Sequence, residues 1–329
     1  MRAAFFTRER TIEVRDAPVP EPGPGDVRLR VLYCGICGSD LSLYKTGALS
    51  GPDVVLGHEV SAVVDLDPSG EWPPGTRVTP FPARGCGECE WCRRGEWRHC
   101  ADPPARMGGG YAELTVYPKR NLIPVPDAVD DLAAALAEPL GVALRAVELS
   151  QAQAGDLAYV AGLGPVGLLT VSALSAVGCR VVGADPNAER RTLGLELGCV
   201  DAFDPSVRDP ADALASHDPL GPAHTFECSG ASASLEQVFD VCAPLGSVGI
   251  LGIPMAPILL LRMTIKEQRA FSISGPSWES MQGALRHLQQ RSEAAKIVTG
   301  TVRLEGVGDA MAGLAEGRGG VKTLVDPQA

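Results

Sequence analysis

LAYVAGLGPVGLLTVSALSAVGCRVVGAD, residues 157–185, reads as an apolar strand, a glycine turn, an Ala/Leu-rich helix and a second apolar strand that ends on an acid. The turn Gly162-Leu163-Gly164-Pro165-Val166-Gly167 is G-x-G-x-x-G in the one context where that pattern carries weight, after a strand and at the mouth of a helix. The first glycine permits the tight turn, the second lets the backbone approach a pyrophosphate, and the third allows close helix–strand packing. Pro165 and Val166 open the helix, whose free N–H groups face the phosphates, and they join the glycines as coenzyme-binding residues. Asp185 lies 21 residues beyond Gly164, where a carboxylate accepts from ribose hydroxyls and repels a 2′-phosphate. The expectation is NAD rather than NADP. Arg190, counted in the same site, and Arg191 soften that preference, and the plain alternative for Asp185 is a turn-former before Pro186.

Downstream the rhythm continues through HTFECSG, the helix ASASLEQVFDVC, SVGILGI and RAFSISG. Strand and helix in alternation predict a parallel sheet with right-handed crossovers, about six strands in a Rossmann-type doubly wound α/β domain over residues 140–275. Upstream, the first ~125 residues are rich in Pro and Gly and contain period-two strands such as Val27-Arg28-Leu29-Arg30-Val31, the mark of a β-rich region with one buried face. After Gly275 come helices at Trp278–Gln290 and near Asp309–Glu316, then a final strand in VKTLV.

Between the two textures lies GCGECEWCRRGEWRHC, residues 85–100, with Cys86, Cys89, Cys92 and Cys100 spaced C-x2-C-x2-C-x7-C. Four soft thiolates in one loop close a tetrahedral zinc shell and leave no position for substrate, so the site staples a loop. Disulfides or an iron–sulfur centre are the alternatives, and His99 competes with Cys100 as fourth ligand. Of the ten cysteines, Cys34, Cys179, Cys199, Cys228 and Cys242 sit in apolar surroundings and read as small core hydrophobes, although Cys34 also forms C-x2-C with Cys37.

The 329 residues suit two domains, and a formal charge of −11 argues against nucleic acid as a partner. Apolar stretches are broken well before 18 residues, so no membrane span is expected, and MRAAFFTRER shows no signal segment, which points to the cytoplasm.

Gly35-Ile36-Cys37-Gly38-Ser39-Asp40, Gly57-His58-Glu59 and the glycine turn, in this order and with the four-cysteine stretch between them, resemble the zinc-containing medium-chain dehydrogenases of the alcohol, sorbitol and threonine dehydrogenase type. The resemblance runs to Pro327. It implies a GroES-like β-rich catalytic domain of residues 1–139 and 276–329 carrying the zinc lobe 85–100, two zinc ions per chain, and NAD. Cys37 and His58 then match the catalytic zinc ligands, with Glu59 or Glu138 as the third and Glu138 favoured. Ser39 relays the substrate proton and Asp40 orients a ligand. The chain departs from many alcohol dehydrogenases at Ser42, where they carry His, and in the short Ala101–Gly108 stretch before Gly109-Gly110-Tyr111-Ala112-Glu113. The first departure weakens ethanol-type oxidation and leaves a polyol, sugar or cyclitol open, the second implies a more open cleft for a bulky or polar substrate, and the resemblance of the CGSDLS-x-Y-K stretch to antibiotic-pathway members adds an aminocyclitol. The implied partners are a small alcohol or ketone substrate and further copies of the chain, as homodimer or homotetramer, with the apolar SVGILGI and PMAPILLL segments suited to cover a sheet edge. The alternatives are a same-fold NADP-dependent reductase of a carbonyl or activated alkene, and a non-enzymatic nucleotide-binding protein.

Overall fold

In the computed structural model, which describes all residues except 8–10, 47–52, 101, 103–107, 255 and 259, the chain forms two units, Met1–Glu138 with Ser277–Ala329, and Pro139–Pro276. The second is built on six parallel strands: Leu157–Ala161, Arg180–Ala184, Cys199–Phe203, His224–Glu227, Ser247–Ile250 and Arg269–Ser272. Counted along the chain they lie in the order third, second, first, fourth, fifth, sixth. The order reverses beside the first strand, and in such sheets ligands bind outside the carboxyl ends of the strands at that point. Leu157–Ala161 is buried at every position, as a central parallel strand must be. Tyr159, Phe226 and Phe239 fill the core of this unit. Cys199–Phe203, the strand that hydropathy does not announce, is an edge strand with Val200 exposed and Asp201 half-buried.

The first unit carries a seven-stranded sheet in which Asp26–Gly35 is central, flanked by Lys322–Asp326 and by Glu59–Leu66, with Leu114–Pro118 also paired to it. Burial alternates along Asp26–Val31, so Val27, Leu29 and Val31 face the core. The pairing of this strand with Glu59–Leu66 sets Gly35 opposite Glu59, and its pairing with the last strand sets Gly35 opposite Leu324. Arg2–Phe6, Ile12–Asp16 and Val54–Val55 form a separate three-stranded sheet.

The helix Trp278–Gln290 starts on a capping box between Ser277 and Ser280 and buries Met281, Ala284, Leu285 and Leu288. His287 lies on the same face, and burial, with the charge of Arg291 adding, lowers its pKa to about 4. A histidine kept neutral in the fold binds fewer protons than in the unfolded chain. Its contribution is therefore complete above its ordinary value near 6.5 and is lost as pH falls through the folded value. His287→Leu should remove an acid destabilisation of about 3 kcal/mol between pH 6.5 and 4. Denaturation midpoints of both proteins across that range check this, and parallel curves would reject it.

Candidate functional site

Cys37, His58 and Glu59 offer a sulfur, a nitrogen and an oxygen that all lie within 4.8 Å of one another. Each arrives by a different local route. Cys37 follows the central strand at the start of the helix Gly38–Thr46; Ser39 is the second residue of that helix, and its N–H and hydroxyl both donate to Cys37 Sγ, at 3.5 and 3.4 Å. The hydroxyl expected to relay a proton thus rests on a candidate ligand. His58 and Glu59 come from the chain entering the neighbouring strand. Asp40 is buried, lies 3.5 Å from His58 Nδ1, and accepts from the Tyr111 hydroxyl at 2.8 Å and from Cys37 N at 3.4 Å. This fixes the ring and leaves its other nitrogen for a metal, the usual carboxylate–histidine arrangement. Burial works against a charged imidazole, but Asp40 and Cys37 together outweigh it and raise the His58 pKa well above its ordinary value. A metal entering here displaces a proton.

Lys322, which the motifs do not announce, is the fourth member of this cluster. It is fully buried, its ammonium forms an ion pair with Glu59 Oε2, and it donates to Ile36 O at 2.9 Å. The two side chains meet across Gly35: a Cβ there would stand 1.8 Å from Glu59 Oε2 and 2.8 Å from Lys322 Cε. The glycine of the GICGSD stretch is thus the gap in which side chains from the strands on either side form their ion pair.

Glu138 stands outside the three-residue group. It lies in the first turn of the helix Ala137–Ser150, buried, with Arg98 3.7 Å away. Burial raises its pKa and Glu59 adds to this, while His58, Arg98 and Lys322 pull the other way.

Cys86, Cys89, Cys92 and Cys100 form the second group, again with sulfurs within 4.8 Å of one another. Backbone N–H groups of Glu88 and Cys89 donate to Cys86 Sγ and that of Cys86 to Cys100 Sγ, at 3.4, 3.3 and 3.2 Å. The first two of these hold the Cys86 thiol below its usual range, while burial pushes Cys92 up to about 12. All four are free of disulfides. His99 instead lies against Trp91, ring centroids 5.6 Å apart, and Cys34 is buried in the core; neither belongs to a ligand group among the described residues. Both donor sets suit zinc: thiolates alone in one, mixed S, N and O in the other, at separations a tetrahedral ion with bonds of about 2.0–2.3 Å closes with small movements.

In the other unit Gly162 takes φ +95°, and a Cβ on it would meet Ser229 N at 2.7 Å, so only glycine serves. A Cβ on Gly167 would lie 1.9 Å from Gly162 O, which shows how closely the helix Pro165–Val177 packs on the strand before it. Gly164 caps that helix without a side-chain partner and faces open space, the cradle a pyrophosphate needs. Asp185 is buried and accepts from Leu163 N and Asn187 N, each at 2.9 Å, with Arg190 at 3.6 Å. Arg191 is turned to the carbonyls of Asp185 and Pro186, at 2.8 and 2.9 Å, and to Asp204 at 3.5 Å. Glu227, which sequence reasoning missed, is fully buried at the end of its strand and accepts from Ser229 N at 2.8 Å and Gly230 N at 2.9 Å, shaping the loop that meets Gly162. Its signal was a lone acid closing an apolar strand. Ala101 and residues 103–107 of the short Ala101–Gly108 stretch lie outside the described residues. No helix among the described residues is long and apolar enough to cross a membrane.

Residues 23–127 match the alcohol dehydrogenase GroES-like domain family, and residues 165–290 match the zinc-binding dehydrogenase family. The chain is 31% identical over 292 residues to an L-threonine 3-dehydrogenase of Pyrococcus horikoshii, covering 84% of each. It is 29% identical to a sorbitol dehydrogenase of Halalkalibacterium halodurans over 91% of each. Its fold superposes with a TM-score of 0.90, at 30% identity and 99% coverage of both chains, on a Sinorhizobium meliloti protein described as a zinc-binding dehydrogenase and crystallised with NADP. On the evidence of both units and of relatives matched over most of their length, the chain belongs to the zinc-containing medium-chain dehydrogenases.

Proposed function

We propose that the protein is a zinc- and NAD-dependent dehydrogenase that oxidises a secondary alcohol on a polyol, sugar or aminocyclitol. The observation that carries this reading is the Cys37, His58 and Glu59 group with the Ser39 hydroxyl resting on Cys37 Sγ. Zinc held there supplies a Lewis acid that acidifies an alcohol hydroxyl. Ser39 Oγ takes the hydroxyl proton and passes it toward water, since Ser42 stands where many alcohol dehydrogenases place His. A nicotinamide coenzyme held by the Gly162, Gly164 and Gly167 turn and Asp185 would supply the acceptor for the carbinol hydride, so that the alcohol would leave as a ketone with its proton released. Asp40 keeps the His58 ring in place throughout, and the Cys86, Cys89, Cys92 and Cys100 group holds a second, structural zinc.

NAD is favoured over NADP because Asp185 presents a buried carboxylate at the strand end and Arg191 is engaged with backbone carbonyls and Asp204. The relative crystallised with NADP supports the opposite choice. Asp185→Ser decides between them. Loss of a charged hydrogen-bond acceptor worth about 1.5–3 kcal/mol should lower the NAD-to-NADP ratio of kcat/KM by about 10- to 100-fold. A wild-type ratio that favours NADP would sink the assignment.

A homodimer or homotetramer is part of the same reading. Arg269–Ser272 is an end strand of the parallel sheet, and Leu260, Leu261 and Ile265 are exposed on the segment before it.

The test is a panel of polyols, inositols, aminocyclitols and small alcohols with NAD at alkaline pH, together with elemental analysis. Two zinc ions per chain and turnover on a polyol or cyclitol support the reading. Zinc in the four-cysteine lobe alone favours a same-fold reductase or a nucleotide-binding protein instead, and preference for ethanol or propanol counts against the substrate class.

A further inference from the structure

Gly109-Gly110-Tyr111-Ala112-Glu113 supplies no donor to either metal group, yet Tyr111 reaches the supports of the Cys37, His58 and Glu59 centre by two routes. The first is backbone and ring. Gly109 N, Gly110 N and Tyr111 N donate to Val55 O, Gly57 O and Leu56 O, at 3.2, 3.0 and 3.0 Å, which straps the stretch along the chain that leads into His58 and Glu59. Tyr111 O accepts from Ala4 N at 2.8 Å, tying the stretch to the strand Arg2–Phe6 as well. Gly57 takes φ +92°, and a Cβ on it would stand 2.7 Å from Tyr111 Cδ1, so the ring closes over the turn before His58. The second route is the hydroxyl. It donates to Asp40 Oδ2 at 2.8 Å, with Gly35 O a more distant acceptor at 3.3 Å. Asp40 Oδ1 faces His58 Nδ1 at 3.5 Å, and Oδ2 also accepts from Cys37 N at 3.4 Å. The phenol bond is the shortest of these three contacts and is charge-assisted, and a carboxylate that is only 2% exposed depends on such donors. Tyr111 is itself 1% exposed and held along its backbone, so its hydroxyl arrives at a set position.

Resting on the zinc reading above, we infer that Tyr111 is a positioning residue for the Cys37, His58 and Glu59 centre: its hydroxyl sets the direction of the Asp40 carboxylate, and through it the His58 ring and the Cys37 backbone, while its ring fixes the turn from which His58 and Glu59 depart. The hydroxyl serves the donor geometry and the ring serves the local fold. Substitution separates the two. Partners one step outside the ligands typically change metal affinity 10- to 100-fold when removed, and the Tyr111 hydroxyl, which acts on such a partner, belongs at the low end of that range.

The test uses the full chain loaded with zinc, and competes the metal away with a chelator of known affinity while elemental analysis counts the ions remaining. Tyr111→Phe should hold one zinc about tenfold less tightly than the wild type and keep the other, since the four-cysteine group shares no donor with this centre. In an Asp40→Ala background the same change should weaken binding no further, because the hydroxyl acts through that carboxylate. Cobalt in place of the labile zinc gives a second readout that a general loss of stability would not move: the visible absorption of Tyr111→Phe should differ from that of wild type. Tyr111→Leu, which removes the ring as well, should shift it further and lower the thermal midpoint below that of Tyr111→Phe. Where Asp40→Ala fails to fold, the cobalt spectra carry the test alone. A wild type with two zinc ions and a Tyr111→Phe protein that holds both as tightly overturns the positioning role and leaves the zinc reading intact. Weaker binding with an unchanged cobalt spectrum, or a further loss in the Asp40→Ala background, also overturns it, and a wild type with zinc in the lobe only overturns both.

Discussion

Cys37→Ala is expected to leave one zinc ion per chain and to lower kcat/KM on the best substrate by about a thousandfold or more. Lewis-acid assistance is worth several kcal/mol, and about 1.4 kcal/mol is a factor of ten. The effect is large because one sulfur serves two purposes. It is a donor of the three-residue group, and it accepts from both the N–H and the hydroxyl of Ser39. Without it the His58 and Glu59 donors are too few for a stable site, and the Ser39 hydroxyl loses the contact that aims it. The lobe ion should stay, since its four sulfurs come from residues 86–100 and share no donor with the other group. Elemental analysis, turnover and a thermal scan are measured on one preparation. Two zinc ions in a variant that is still folded and active would place the catalytic metal elsewhere.

What the sequence reveals of this site depends on how far apart the cooperating residues lie. The glycine turn and the four-cysteine loop are local, so their spacing carries the geometry: residues 162–167 must turn and enter a helix, and four sulfurs within fifteen residues, 86–100, can meet with little chain to fold between them. The strand rhythm around residues 157–185 is legible for the same reason, because central parallel strands are buried on both faces and written as apolar runs. Cys199–Phe203 escapes this reading because it lies at an edge and carries Asp201 and an exposed Val200. The Glu59–Lys322 pair is the opposite case. Its partners are far apart in sequence, and only the strand order that seats residues 26–35 between 322–326 and 59–66 brings them together. The hint was a lysine within the apolar run VKTLV, and the matching gap was Gly35, whose need for space cannot be seen before its neighbours are known. Arg98 is hidden for a related reason. In a loop that also holds Arg93 and Arg94, nothing local marks Arg98 as the one that lies beside Glu138.

Lys322→Met should then be among the most destabilising single changes in its unit. Removing one partner of a buried ion pair leaves a charge without compensation, at a cost of about 3–5 kcal/mol. The ammonium is fully buried and also satisfies Ile36 O, so water has no ready way to replace it. Burial by itself opposes the lysine cation, but Glu59 foremost, with Cys37 and Glu138, overrides it and raises the Lys322 pKa above 10.5. The sign follows: the contribution of the pair is complete below the ordinary lysine value and is lost only as pH rises through the higher folded value. The gap between wild-type and variant denaturation midpoints should therefore stay level from about pH 7 to pH 10, covering the alkaline range suited to alcohol oxidation. Glu59→Gln in the Lys322→Met background should recover most of the loss, because it removes the orphaned charge. Zinc should recover part of it in Lys322→Met alone, since a cation beside Glu59 takes over the compensating role, and the variant should be weakest when stripped by a chelator. A Lys322→Met protein as stable without zinc as with it, and unaided by Glu59→Gln, would show that the lysine supports the fold by some route other than this carboxylate.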